Sequence, residues 1–441
     1  MFVGITNTPR DYAWGSRTAI AEVLGREASG GPEAEQWLGA HPGWPSTVTD
    51  ATPALAGQKL DAVLTEHPEL LGGRPRLPFL MKVLAAESPL SLQVHPDPEQ
   101  ARAGFAREQE AGVPLDADER NYKDDSAKPE LILALSPVFE ALAGFQHVSL
   151  ARMLFAELIV GASGEDRAVL SAFAEELTAG HPQETASLGS SADVTQEGMP
   201  VTGDTVPHHS GEGNALAAVV ERLLRRGDDV DRLVAAVTRS APNVGANSSF
   251  SREFETVAAL AEAYPGDPGI VISLLMNRVS LRQGQALALT AGTLHAYLSG
   301  VGIEVMNASD NVLRGGLTPK HVDVDELLRV VRFEAEPTPL VLPETPVEGE
   351  TLWRPQGDDF VLAQIGVGEA AAVHGYTLAG PETVTVPLTG PAIVLVLTGG
   401  VAVAGATDAV SLARGEAAYA SPDEGTLTFS GSGIVYVSTT P

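Results

Sequence analysis

The spacing of apolar and polar positions changes character along the chain. Residues 1–145 carry short apolar runs bounded by turn residues: "LPFLMKVLAA" (77–86), "SLQVH" (91–95) and "AKPELILALS" (127–136). Such runs predict buried strands. "LDAVLTEHPELL" (60–71) has helical spacing, and "VFEALAGF" (138–145) leaves helix and strand open. "AEQWLGAHPGWPS" (34–46) is rich in Gly, Pro and aromatic residues and predicts a shaped loop wall.

Between 146 and 265 the period becomes helical. "LARMLFAELIVG" and "RAVLSAFAEELTAG" show it, and Leu216, Val219, Val220, Leu223 and Leu224 form one apolar stripe. Phe254, Val257, Ala258 and Ala261 form another. The segment 180–214 is rich in Gly, Ser, Thr and Pro and poor in aliphatic residues, which predicts a flexible surface loop. Strands return with "IVISLLMNRVSL", "QALALTAGTLHAYL" and "GIEVMNASDNVLRGGL". A Pro-rich link after residue 333 leads to 350–441, where short strands alternate with Gly turns as in a sandwich or barrel. The expected division is 1–145 and 266–340 for one β-rich domain, 146–265 for a helical insertion, and 341–441 for a second β-domain.

Composition narrows the chemistry. With 441 residues, 44% of them hydrophobic, the chain can build two or three cored domains. It has no cysteine, which excludes disulfides, thiolate metal sites and a cysteine nucleophile. The net charge of −29 argues against nucleic acid as a partner. The N-terminal stretch lacks the pattern of a signal peptide, and the longest apolar run (391–406) is interrupted by Thr398, Gly399 and Gly400. A soluble cytoplasmic protein without membrane contact is expected.

Candidate ligands stand at the ends of the predicted strands. Gln93 and His95 are two residues apart, so an extended backbone aims both at one side. Glu130 opens the next strong strand, and His295 follows a glycine turn. Two imidazoles, a carboxylate and an amide oxygen suit a borderline divalent metal such as zinc, with positions left open. His67, His147, His181, His321, His374 and the adjacent His208 and His209 are expected to take no part in the chemistry.

Several stretches together resemble the type I mannose-6-phosphate isomerases, zinc enzymes of the cupin fold. They are "YAWGS" (12–16), "EQWLGAHPGWPS" (35–46), "LPFLMKVLAAESPLSLQVHPD" (77–97), "NYKDDSAKPEL" (121–131) and "AGTLHAYLSGVGIEVMNASDNVLRGGLTPKHVD" (291–323). The resemblance implies a mainly β fold of two cupin (jelly-roll) domains, the first catalytic and the second degenerate. It implies one zinc per chain on Gln93, His95, Glu130 and His295, and an active-site Arg314. Gly315 stands where the family often has Ala.

The implied reaction exchanges an aldose and a ketose through an enediol(ate). It needs a proton shuttle, a cation for the developing oxyanion and a cradle for a phosphate. Arg314 suits the fixed cation. Lys128, two residues from Glu130, suits the shuttle, with Glu304 and Asp310 as alternatives; "SDN" could instead make Asp310 a turn residue. Ser91 shares a strand face with Gln93. Lys82 and Lys320 are candidate phosphate contacts, and His41 and Trp14 candidate pocket walls. The expected partner is a small sugar phosphate, and the expected state a monomer. The rival readings are a non-catalytic sugar-phosphate sensor and a metal-dependent oxygenase of the same fold.

Overall fold

The structure, a computed structural model, describes residues 1–179, 211–244, 248–357, 359–369, 371–373 and 376–441. Two large antiparallel sheets organise it, one of ten strands and one of nine. The central strand of the first is His295–Asn307, which pairs with Phe79–Ala86, Gln93–Val94, Glu130–Ala134 and Val138–Phe145. The centre of the second is Thr426–Thr439, paired with Val361–Val367, Thr383–Pro387 and Ala392–Ala404.

Strand alternation explains why the first sheet can carry both a core and a site. Successive side chains point to opposite faces. Met81, Val83, Ala85, Leu131, Leu133, Ile303 and Val305 point one way. There they share a core with Ile393, Leu395, Ile434 and Tyr436 of the second sheet. Residues in between point the other way. Glu304 faces Lys82 across one strand pair, and Glu130 faces Met306 across another. That inner face also holds Leu84, Ile132, Phe139, Leu287 and Tyr297. The sheets therefore pack through one face and leave polar groups enclosed on the other.

The segment Phe2–Thr6 leaves the first block and pairs with Ala417–Ala420 of the second sheet. Val3 and Ile5 are buried in the shared core, and Phe2 in the core of the second sheet. Its five residues satisfy either sheet equally well by pattern, so only the tertiary pairing decides.

Helices occupy Val148–Gly161, Gly164–Ala179, Gly211–Arg225, Asp228–Ser240 and Ser251–Ala263, and their apolar faces form one cluster. The expected loop 180–214 falls largely outside the described residues; its last four residues open the helix Gly211–Arg225. No helix among the described residues is long and apolar enough to cross a membrane.

Two local expectations are corrected and one open reading is resolved. "IVIS" is not strand but the short helix Gly269–Ser273, and the strand begins at Met276. Asp267 accepts the Gly269 N–H at 2.8 Å and so holds the first turn. A short, fully buried apolar run does not distinguish the two by period. "VFEALAGF" resolves as the strand Val138–Phe145. Part of the expected loop wall is the strand Glu35–Leu38, paired with the Phe79–Ala86 strand.

Ile303 is fully buried on the face that joins the sheets. Ile303→Ala should destabilise the protein by about 2–5 kcal/mol in urea unfolding, because a packed core cannot fully collapse around the lost methyls.

Candidate metal centre and active site

The three residues with metal-ligating side chains come from three strands of one sheet. His95 lies just past the short strand Gln93–Val94, Glu130 starts Glu130–Ala134, and His295 starts the central strand. Gln93 stands opposite both His295 and Arg314 in register. The turn before His295 needs Gly292, whose φ is +80° and whose missing Cβ leaves room for the Val330 carbonyl.

His95 Nε2 lies 3.2 Å from Glu130 Oε1, and His295 Nε2 lies 3.4 Å from Glu130 Oε2. All three residues are buried. Each imidazole has its other nitrogen bound to a carbonyl: His95 Nδ1 donates to Asn311 O at 2.7 Å, and His295 Nδ1 to Thr293 O at 2.8 Å. A carbonyl can only accept, so Nδ1 carries the proton and Nε2 presents a lone pair. Both Nε2 atoms and Glu130 Oε2 are buried without a hydrogen-bond partner. The ligand atoms of the three lie within 4.8 Å of one another. Buried lone pairs converging on one point fit a metal ion, and the donor set of two imidazoles and a carboxylate fits zinc.

Burial, reinforced by the Lys128 ammonium, pushes the His95 pKa down to about 4. Burial by itself would raise the Glu130 carboxyl, but Lys128, 2.9 Å away, and His95 hold it well below the usual carboxylate range. Both ligands are thus in their metal-binding form at neutral pH. In metal-free protein, unfolded His95 takes up a proton below its ordinary value near 6.5, whereas the folded form resists until about 4. The His95 contribution to stability is therefore full above pH 6.5 and declines as the pH falls to about 4. Urea unfolding of the apoprotein across that window checks this, and His95→Gln should flatten the slope.

The other predicted residues fall into distinct places. His41 is buried and accepts the Gly43 N–H at Nδ1, while its Nε2 lies 3.6 Å from Asp310 Oδ1. Burial lowers the His41 pKa, against the pull of Asp310. Trp14 is half-buried beside the inner apolar cluster and stacks on Tyr12. Ser91 is half-buried next to fully buried Leu92. A Cβ on Gly315 would meet Leu294 Cδ1 at 3.0 Å, which the end of a flexible side chain can yield.

Lys82 and Glu304 pair with each other in the buried interior. Lys82 is 5% exposed, and its ammonium sits 2.7 Å from Glu304 Oε2 and 3.4 Å from Glu35 Oε1. Tyr297 donates to the other Glu304 oxygen, and Trp37 Nε1 to Glu35. Burial disfavours the lysine's charge, yet Glu304 and then Glu35 hold its pKa above the ordinary lysine range. Lys82 is thus held between two carboxylates, and Glu304 accepts from two donors. The signal was legible: Lys82 and Glu304 are lone opposite charges inside apolar runs. Lys82→Met should cost about 3–5 kcal/mol, since it leaves Glu304 and Glu35 buried without a cation. Lys82→Met combined with Glu304→Gln should recover part of that in denaturant unfolding.

Arg314 is half-buried, and among the described residues no acidic group pairs with it, with Lys320 or with Lys123. Burial lowers the Lys320 pKa, and the nearby Arg314 and Lys123 charges lower it further. Lys320 thus feels two like charges, only partly offset by Asp118, and such a place suits an anion. Lys123 was not among the sequence candidates; its position in "NYKDD", ahead of Lys128, was the available clue.

Comparison with known proteins agrees with this geometry. Residues 2–148 match the family model for the phosphomannose isomerase type I catalytic domain. The mannose-6-phosphate isomerase of Shigella flexneri is 35% identical over 437 residues, 97% of each chain. That of Escherichia coli K12 is 34% identical over 439 residues, again 97% of each. A zinc-bound crystal structure of mannose 6-phosphate isomerase aligns with a TM-score of 0.78 at 30% identity, covering 100% of this chain and 99% of the other. A variant of the Salmonella typhimurium phosphomannose isomerase aligns with a TM-score of 0.79 at 29% identity and the same coverage. The expected mainly β cupin architecture with added helices holds, and the chain belongs to the type I phosphomannose isomerase family.

Proposed function

We propose that the protein is a zinc-dependent isomerase that interconverts mannose 6-phosphate and fructose 6-phosphate. The observation that carries this reading is the set of buried, partnerless lone pairs on His95, Glu130 and His295, with Lys128 beside Glu130. His95, Glu130 and His295 would hold zinc, with Gln93, in register with His295, as the fourth ligand. When bound, zinc supplies Lewis-acid polarisation of the substrate oxygens.

The chain's own groups do the rest. Lys128 Nζ, beside Glu130, carries the proton between C1 and C2 of the open-chain sugar. Arg314 keeps its charge and stabilises the enediolate oxygen. Arg314, Lys320 and Lys123 together hold the phosphate, whose binding energy orients the reacting carbons. His41, Asp310, Trp14 and Ser91 shape the wall. Residues 1–145 and 266–340 form the catalytic domain, 146–265 the helical insertion, and 341–441 a metal-free partner domain. The enzyme acts as a monomer in the cytoplasm, where phosphorylated sugars are held.

Chelated, zinc-depleted protein should fail to convert mannose 6-phosphate to fructose 6-phosphate, and added zinc should restore turnover. Full activity in demonstrably metal-free protein would sink the reading. Arg314→Ala should lower kcat by roughly 10²–10³-fold, while Lys320→Ala should act mainly by raising KM.

A further inference from the structure

The loop at 121–126 and the loop at 307–312 are joined through two side chains that the reaction itself does not use. Asn311 is 0% exposed. Its Oδ1 accepts the Lys123 N–H at 2.7 Å and the Asp124 N–H at 3.1 Å. Its Nδ2 donates to Asp124 O at 2.8 Å and to Ser126 O at 2.9 Å. One face of the amide must accept and the other must donate, and only a carboxamide of this length does both. Asp124 answers from the other loop. Its carboxylate accepts the Asp310 N–H at 2.9 Å, the Ser309 hydroxyl at 2.8 Å and the Ser126 N–H at 3.0 Å.

The same Asn311 lends its backbone carbonyl to His95 Nδ1 at 2.7 Å. That carbonyl sets which nitrogen of His95 is protonated and which way the ring turns. Downstream of the clasped segments lie Lys128 and Glu130 on one side and Arg314 on the other. The clasp thus stands between the residues proposed to hold metal, to shuttle protons and to stabilise the oxyanion.

We propose that the Asp124–Asn311 clasp is a positioning device: it locks the Asn311 carbonyl in place, so that His95 presents Nε2 to the metal in one orientation and tautomer. The inference rests on the zinc reading of the site. The chemistry behind it is general, since a ligating imidazole needs its second nitrogen held by a fixed acceptor. Asn311→Asp tests the point with little change in size. It replaces the Nδ2 donor with an acceptor that faces two carbonyls and the Asp124 carboxylate, so the loops must part.

Zinc affinity would be measured by competition with a chromophoric chelator, with thermal unfolding of the metal-free protein run in parallel. Asn311→Asp should weaken zinc binding by roughly 10–100-fold. Cobalt(II) substituted for zinc should show altered visible absorption bands, because the geometry around His95 is no longer fixed. Ser309→Ala removes one donor to Asp124 and should shift affinity and spectrum less, in the same direction. It decides the matter if Asn311→Asp does not fold. Folded variants that bind zinc as tightly as the parent, with the parental cobalt spectrum, would overturn the clasp even if their thermal stability fell. A parent that binds no zinc would instead overturn the reading on which the clasp rests.

Discussion

Two imidazole lone pairs and a carboxylate oxygen face one another in a space closed to water. That arrangement opposes folding unless a cation fills it, because buried polar atoms lose their hydration and gain no partner. Lys128 supplies part of the compensation through one Glu130 oxygen, and leaves the other unmet. With their Nδ1 protons committed to carbonyls, the neutral imidazoles have no proton left to give Glu130. Much of the surrounding structure serves to keep them there: a glycine turn before His295, the clasped loops behind His95, and the register that starts Glu130 opposite Met306.

The sheet that carries these groups solves a second problem by alternation. A strand with charges on a buried face needs strong packing elsewhere, and Phe79–Ala86 is buried at all eight positions. One face contributes Met81, Val83 and Ala85 to the core shared with the second sheet; the other offers Lys82 to Glu304 and Glu35. The second sheet therefore contributes to function without touching the chemistry. It covers the apolar backs of the strands whose inner faces hold the site, and the strand Phe2–Thr6 extends that cover from the opposite end of the chain.

Much of this was legible in the sequence, and the failures have physical causes. The ligand candidates stood out because histidine, glutamine and glutamate at strand ends are costly to bury without a task. The fold needed the family resemblance, since short apolar strands do not encode which sheet they join, as Phe2–Thr6 illustrates. The helix Pro98–Glu110 went unremarked although Asp97, Pro98 and Gln100 spell a capping box with proline at the first position. The partners of Lys82 are set by tertiary pairing, since Glu304 lies far along the chain and Glu35 on a neighbouring strand.

The charge balance gives the cationic cluster its weight. The chain has 57 acidic and 28 basic residues, so carboxylates outnumber bases two to one. Most arginines with a partner lie against carboxylates, as Arg222 does against Glu176 and Asp229. Yet Arg314, Lys320 and Lys123 stand together, with Asp118 as the one acidic residue to offset the strain felt by Lys320. A negative surface repels an anionic sugar at long range, but salt confines that repulsion to about 8–10 Å at physiological strength. Inside that distance the local cations dominate. On the proposed reading, a phosphate held by Arg314, Lys320 and Lys123 would relieve the repulsion that Lys320 feels from the other two cations.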